Sequence, residues 1–180
     1  MLFRPDSPDS SISTQLMDLA IFRLVVGGRF PRESLDLHFD SELDTLSSLE
    51  STPLHYAILG GNEETVRYLL SRGALVNAHN IFRETALHWA CKEGNPMIVR
   101  LLLQHGAFPN VLDTERNTPL HWAAEYDHKD IILLLLENNC EASLHIKNED
   151  GLNPLQVAKR NRSKQASEVL RSRPRASWTW

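Results

Sequence analysis

Apolar residues along this chain come in short triplets rather than in an even scatter. Tyr68-Leu69-Leu70, Leu101-Leu102-Leu103 and Leu134-Leu135-Leu136 follow one another at 33-residue intervals. Each triplet is closed by a small pair: Gly73-Ala74, Gly106-Ala107 and Asn139-Cys140. A second set recurs ahead of them as Thr52-Pro53-Leu54-His55, Thr85-Ala86-Leu87-His88 and Thr118-Pro119-Leu120-His121, again 33 residues apart. A weaker fourth copy, Asn153-Pro154-Leu155-Gln156, comes 35 residues later. A fixed period of this length is the mark of a repeat architecture. The pattern predicts paired helices near 53–60 and 63–72, 86–93 and 96–104, 119–126 and 129–138, and 154–161 and 164–172.

The residues at the ends of these segments carry the chemistry that helix ends need. Thr52, Thr85 and Thr118 stand where a side-chain oxygen can cap the first helix. Pro53, Pro119 and Pro154 occupy the first helical position, where a missing N–H is harmless. Gly61 and Gly94 separate the two helices, Asn62 and Asn95 cap the second, and Pro96 opens it in the second repeat. Gly73 and Gly106 offer a left-handed residue at its end, and Asn139 is the residue best able to replace them. One helix pair cannot bury its apolar faces alone; stacked pairs can, as a quasi-linear solenoid.

On these motifs the chain resembles the ankyrin-repeat family over residues 47–173, with its TPLH start and Gly-Ala-containing turn. The resemblance implies an all-α solenoid of stacked helix-turn-helix units joined by hairpin-like loops, with repeats over 51–82, 83–115, 116–149 and 150–173. Glu50, Arg83 and Arg116 depart from the glycine usual just before the TPLH start, which predicts stiffer hairpin tips. Asp127 and Arg162 replace the inter-helix glycine, and the third loop is two residues longer around Leu144–Lys147. Polar Gln156 and Lys159 in the fourth repeat suit a C-terminal cap, whose outer face meets water.

The ends are read from composition. Residues 1–10, with two prolines, two aspartates and two serines, read as a disordered start. Ile12, Leu16, Leu19, Ala20 and Leu24 near helical spacing predict a capping helix ended by Gly27-Gly28, within a cap and connector over 11–50. A small adaptor-binding helical motif of the F-box kind over Pro31 to Leu46 is a second reading of that connector. Residues 174–180 form a tail that carries Trp178 and Trp180, placed either to meet a partner or to fold back on the last repeat.

Charge changes this picture only at one end. The net charge is −4, yet residues 156–180 hold seven Lys and Arg against the single acid Glu168. That leaves the tail at +6 and residues 1–155 at −10. The bland reading is a solvated terminal helix; an acidic body with a basic end also suits self-association or an anionic surface. The overall acidity argues against general nucleic-acid binding, and a monomer is expected in isolation. Cys91 and Cys140 have no metal-binding spacing and fit a reducing compartment, so an intracellular protein of cytoplasm or nucleus is expected. The apolar stretch 16–26 is interrupted by Asp18 and Arg23, so it predicts neither a signal peptide nor a membrane span.

Catalytic chemistry is hard to find. His55, His88 and His121 share one position in successive repeats, roughly 10 Å apart by helix packing. Zinc needs nitrogens at about 2 Å, so they cannot share an ion. The resemblance makes them structural. Cys91 beside His88 is the one conceivable nucleophile pair, and its small-residue position predicts burial and inertness. No glycine loop cradles a phosphate, and neither cofactor nor metal is expected. The chain therefore reads as a non-catalytic module.

In the ankyrin family partners meet the concave side, built from loop tips and first helices. Mapped onto this sequence, the tip positions are Ile81, Phe82, Glu84, Thr114, Glu115 and Asn117. The first-helix positions are Leu59, Lys92, Glu93, Glu125 and Tyr126. Tyr56, Trp89 and Trp122, each just after its histidine, suggest an aromatic ladder. Large aromatics are enriched among the residues that dominate interfaces; helix-on-helix packing is the competing role for the tryptophans. The acids Glu115, Glu125, Asp127 and Asp130 suggest a partner segment with Arg or Lys. The resemblance also implies that Asn77 and Asn110 stand where an asparaginyl hydroxylase acts on family members. The expected function is protein binding as an adaptor, inhibitor or scaffold. Alternatives are a host-directed bacterial effector, a ubiquitin-ligase adaptor, or an anionic-surface or nucleic-acid binder through the basic end.

Overall fold

The computed structural model describes residues 51–172. The expected cap and connector over 11–50, the F-box-like reading, Glu50, and Trp178 and Trp180 lie outside the described residues.

Among the described residues eight helices form four pairs: α1 (Pro53–Leu59) with α2 (Glu63–Ser71), α3 (Ala86–Glu93) with α4 (Pro96–Gln104), α5 (Pro119–Glu125) with α6 (Lys129–Glu137), and α7 (Pro154–Arg160) with α8 (Lys164–Ser172). First helices stack on first helices and second on second, giving two layers with the core between them. Leu54, Ile58, Leu87, Ile98, Leu102, Leu120, Ile131, Ile132 and Leu135 are the largest apolar side chains sealed inside. At about 25 cal/mol per Å² of apolar surface, such layers carry most of the favourable folding energy. None of these short helices would persist alone in water. No helix among the described residues is long and apolar enough to cross a membrane.

The caps account for where helices start. Asn62 Oδ1 accepts from the Thr65 N–H at 3.0 Å, and Asn95 Oδ1 from Met97 and Ile98 at 3.0 and 3.2 Å. His128 takes this place before α6 and makes no side-chain cap bond. Gly73 and Gly106 adopt φ of 89° and 84° after α2 and α4, and Asn139 adopts 62° after α6. Arg83, Arg116, Asp127 and Arg162 also lie at φ between 57° and 62°, so ordinary side chains are held in the glycine conformation. Asp127 has a compensating role: its Oδ1 caps α8 by accepting the Ala166 N–H at 2.7 Å.

Each threonine closes a reciprocal capping box with the histidine three residues on. Thr52 N–H donates to His55 Nδ1 at 3.2 Å, and the hydroxyl meets the same nitrogen at 2.9 Å. The far nitrogen then crosses to the next repeat. His55 Nε2 donates to the Glu84 carbonyl, His88 to Asn117 and His121 to Leu152, at 3.1, 3.2 and 3.1 Å. A carbonyl on Nε2 and an N–H on Nδ1 fix one neutral tautomer, because protonating Nδ1 would abolish the cap bond.

The third loop is the one place where the backbone adds something new. The longer loop holds a four-residue 3₁₀ turn over Glu141–Leu144. Ser143 Oγ donates to Asn110 Oδ1 at 2.5 Å, where in the previous repeat the Phe108 N–H donates to Asn77 Oδ1 at 2.9 Å.

Candidate functional site

The hairpins between repeats are pinned by one polar residue each. Asn80 Oδ1 accepts from the Phe82 and Glu84 N–H groups at 2.9 and 3.0 Å, while its own N–H reaches the Glu84 carbonyl at 3.0 Å. Asp113 and Asn148 repeat this role, accepting from the N–H of Asn117 at 2.7 Å and of Leu152 at 3.0 Å. Successive tips are then joined: Thr114 N–H donates to the Phe82 carbonyl and Glu149 N–H to the Glu115 carbonyl, both at 2.9 Å. A tip held this way cannot tuck its side chains inward. Ile81 and Phe82 stand 47 % and 51 % exposed on the first hairpin. The equivalent tips carry Thr114-Glu115 and Glu149-Asp150, all exposed.

The tryptophans join first helices to these hairpins. Trp89 and Trp122 are half-buried against the core. Trp89 Nε1–H donates to Glu84 Oε2 at 2.7 Å, and Trp122 Nε1–H to Asp113 Oδ2 at 2.9 Å. Tyr56 meets Trp89 edge to face at 6.4 Å. Trp122 instead stacks on Tyr126 at 6.3 Å and 11°, and Tyr126 on His128 at 6.4 Å and 11°. Lys92 Nζ lies 5.2 Å above the Trp122 ring, a cation–π contact. His128 Nε2 donates to the Lys92 carbonyl at 3.0 Å, so this stack is tied to the end of α3.

The residues expected to meet a partner therefore fall into two groups. Ile81, Phe82, Lys92, Glu93, Thr114, Glu115, Glu125, Tyr126 and Leu59 are exposed. Glu84, Trp89, Asn117 and Trp122 are half-buried and already bonded within the fold. Asn77 and Asn110 each bridge to the following repeat, through Nδ2 to the Gly106 carbonyl at 3.0 Å and the Asn139 carbonyl at 3.2 Å. The repeat motifs do not mark Asn80, Asp113 and Asn148, although a polar residue recurs there one repeat apart. Met97 and Phe108, 48 % and 62 % exposed, are further apolar groups that the family mapping omits.

The buried titratable groups are held inert. Burial lowers the His55 pKa to about 4, and burial likewise lowers those of His88 and His121. Burial pushes the Cys91 thiol well above its usual value and Cys140 to about 11. Both nitrogens of His88 are engaged, so it has no free base to offer Cys91. Among the described residues no group of three or more His, Cys, Asp or Glu side chains is placed to hold a metal ion.

The ankyrin-repeat family model matches three times, over residues 25–113, 73–147 and 109–176. This chain belongs to the ankyrin-repeat family. A search of curated proteins finds no match. The family match starts at residue 25, ahead of the residues 47–173 that carry the visible motifs. Ankyrin repeats are in general protein–protein interaction modules, typically without catalysis of their own.

Proposed function

We propose that this ankyrin-repeat protein is a non-catalytic, intracellular binding module, an adaptor, inhibitor or scaffold, that captures a partner protein on the face formed by hairpin tips and first helices. The observation that carries the reading is the pair Ile81 and Phe82, half-exposed on a hairpin whose backbone is locked by Asn80. An exposed apolar pair on a rigid frame loses little entropy when it binds. Tyr126, 44 % exposed and stacked between Trp122 and His128, supplies a second anchor. Glu115 and Glu125, both exposed, favour a partner segment that carries Lys or Arg. Trp89 and Trp122 support the anchors from beneath, since their N–H groups are already spent on Glu84 and Asp113.

The test is affinity capture from a cell lysate with three proteins: wild type, Phe82→Ala with Tyr126→Ala, and a control with Met97→Ala and Phe108→Ala. A partner retained by wild type and control but lost at least tenfold by the first variant supports the reading. A partner lost only by the control overturns it.

A further inference from the structure

The outer end of the last repeat is a charged groove. Lys159 on α7, Arg162 in the turn, and Lys164 and Arg171 on α8 line an open hollow of about 830 Å³, together with Ser167 and the single acid Glu168. Among the described residues the ion pair at this end is Arg160 with Asp150, which leaves those four cations to the groove. Four like charges around one hollow repel one another, and a bound anionic segment relieves that repulsion. Arg162 sharpens the point. It holds φ 62° where glycine would be easier, and Asp127 in the same turn of the preceding repeat is explained by capping α8. Arg162 has no following repeat among the described residues to cap, and its side chain joins the cationic lining instead.

The chain itself carries the complementary charge at its other end. Residues 33–50 contain six acids, Glu33, Asp36, Asp40, Glu42, Asp44 and Glu50, and no Lys or Arg. This segment joins the stack at Ser51, the start of the first repeat, whereas the groove caps the last. Four repeats at roughly 10 Å per neighbouring helix separate the two. Reaching its own groove would oblige the segment to run the length of the stack. Between two molecules, the acidic segment of one and the cationic groove of the other are complementary in charge.

We infer that the α7–α8 groove binds residues 33–50 of a second copy, joining solenoids head to tail. Such contacts do not close on themselves, so the assembly grows with concentration. Its attraction is between exposed charges and weakens with salt. The monomer expected from the sequence is the dissociated, high-salt state.

The experiment uses the full chain and a labelled peptide of residues 33–50. Sedimentation velocity over rising concentration at low salt is expected to show association, and high salt to abolish it. Fluorescence anisotropy is expected to show peptide binding that drops more than tenfold in Lys159→Glu with Lys164→Glu, both exposed positions. A peptide with Asp40, Glu42 and Asp44 changed to Lys is expected to regain binding to that variant. Wild type that stays monomeric at low salt, or peptide binding indifferent to the charge reversal, overturns the inference. So does binding to phosphatidylserine vesicles that the reversal abolishes while the peptide is ignored, which would assign the groove to a membrane surface.

Discussion

The second and fourth repeats start their first helices with the same local device and differ in how far it reaches. In the second, Thr85 and His88 cap each other, and His88 Nε2 continues to the Asn117 carbonyl of the next repeat. In the fourth, Asn153 N–H donates to Gln156 Oε1 at 2.9 Å and Gln156 N–H to Asn153 Oδ1 at 3.0 Å, and the device stops there. His88 is buried; Gln156 is exposed. An imidazole holds two nitrogens on opposite sides of one rigid ring, so it can accept from its own cap and donate to a neighbour at once. A carboxamide offers no second ring nitrogen, so Gln156 closes its own cap without reaching further. The histidines are thus the fastenings between repeats.

The largest way to break this comparison is acid. The three inner histidines are neutral in the fold with lowered pKa values, so the unfolded chain binds more protons below the ordinary value near 6.5. Their stabilising contribution is complete above that value and is lost as pH falls toward the folded pKa. For His55, at about 4, the loss by pH 5 is about 2 kcal/mol. His88 and His121 add in the same direction, and the fourth repeat adds nothing. Urea midpoints measured between pH 7.5 and 5 in roughly half-unit steps are expected to fall continuously. A flat profile would mean that the rings are protonated in the fold.

Next in size is removal of a single fastening. His88→Ala leaves the Thr85 N–H without its partner, removes one of the two donors to the Asn117 carbonyl and opens a cavity, for a loss of about 3 kcal/mol. Gln156→Ala at the end repeat is expected to lose no more than about 1 kcal/mol, the ordinary value of a cap. Equal losses in urea titrations would remove the distinction between interior and end.

The turns between helices give a smaller contrast with opposite signs. Gly94 has φ 79°, and a methyl there would stand 2.4 Å from His128 Cε1. Gly94→Ala is expected to destabilise by about 2 kcal/mol, from strain and displacement of the ring. Arg162→Gly relieves a left-handed residue at an open turn and is expected to gain up to about 1 kcal/mol. Thermal midpoints of the two variants are expected to move in opposite directions.

Much of the fold was legible in the sequence because the repeat spells out its own boundaries. Asn62 and Asn95 cap where their position suggested, and the helices end within one or two residues of the expected limits. The 3₁₀ turn over Glu141–Leu144 was not legible, since two extra residues announce a longer loop without saying how its backbone closes. The bonds from Trp89 to Glu84 and from Trp122 to Asp113 were also hidden, because their spacing differs: five residues in one repeat and nine in the other. The exposure of Ile81 and Phe82 followed from their place at a tip. The groove at the last repeat appeared in the sequence only as a run of charge, because its shape arises from two helices and a turn together.

The smallest expected effect on stability bears most on function. Phe82→Ala with Tyr126→Ala removes exposed side chains and is expected to change folding stability by less than about 1 kcal/mol. The central claim, that partners are held at the hairpin tips, is tested most directly by site-specific photo-crosslinking in cells. A photoreactive phenylalanine analogue is placed at position 82 in one protein and at position 108 in another. The account predicts one discrete crosslinked partner from position 82 and none of it from position 108. The same partner crosslinked from position 108 alone would contradict it.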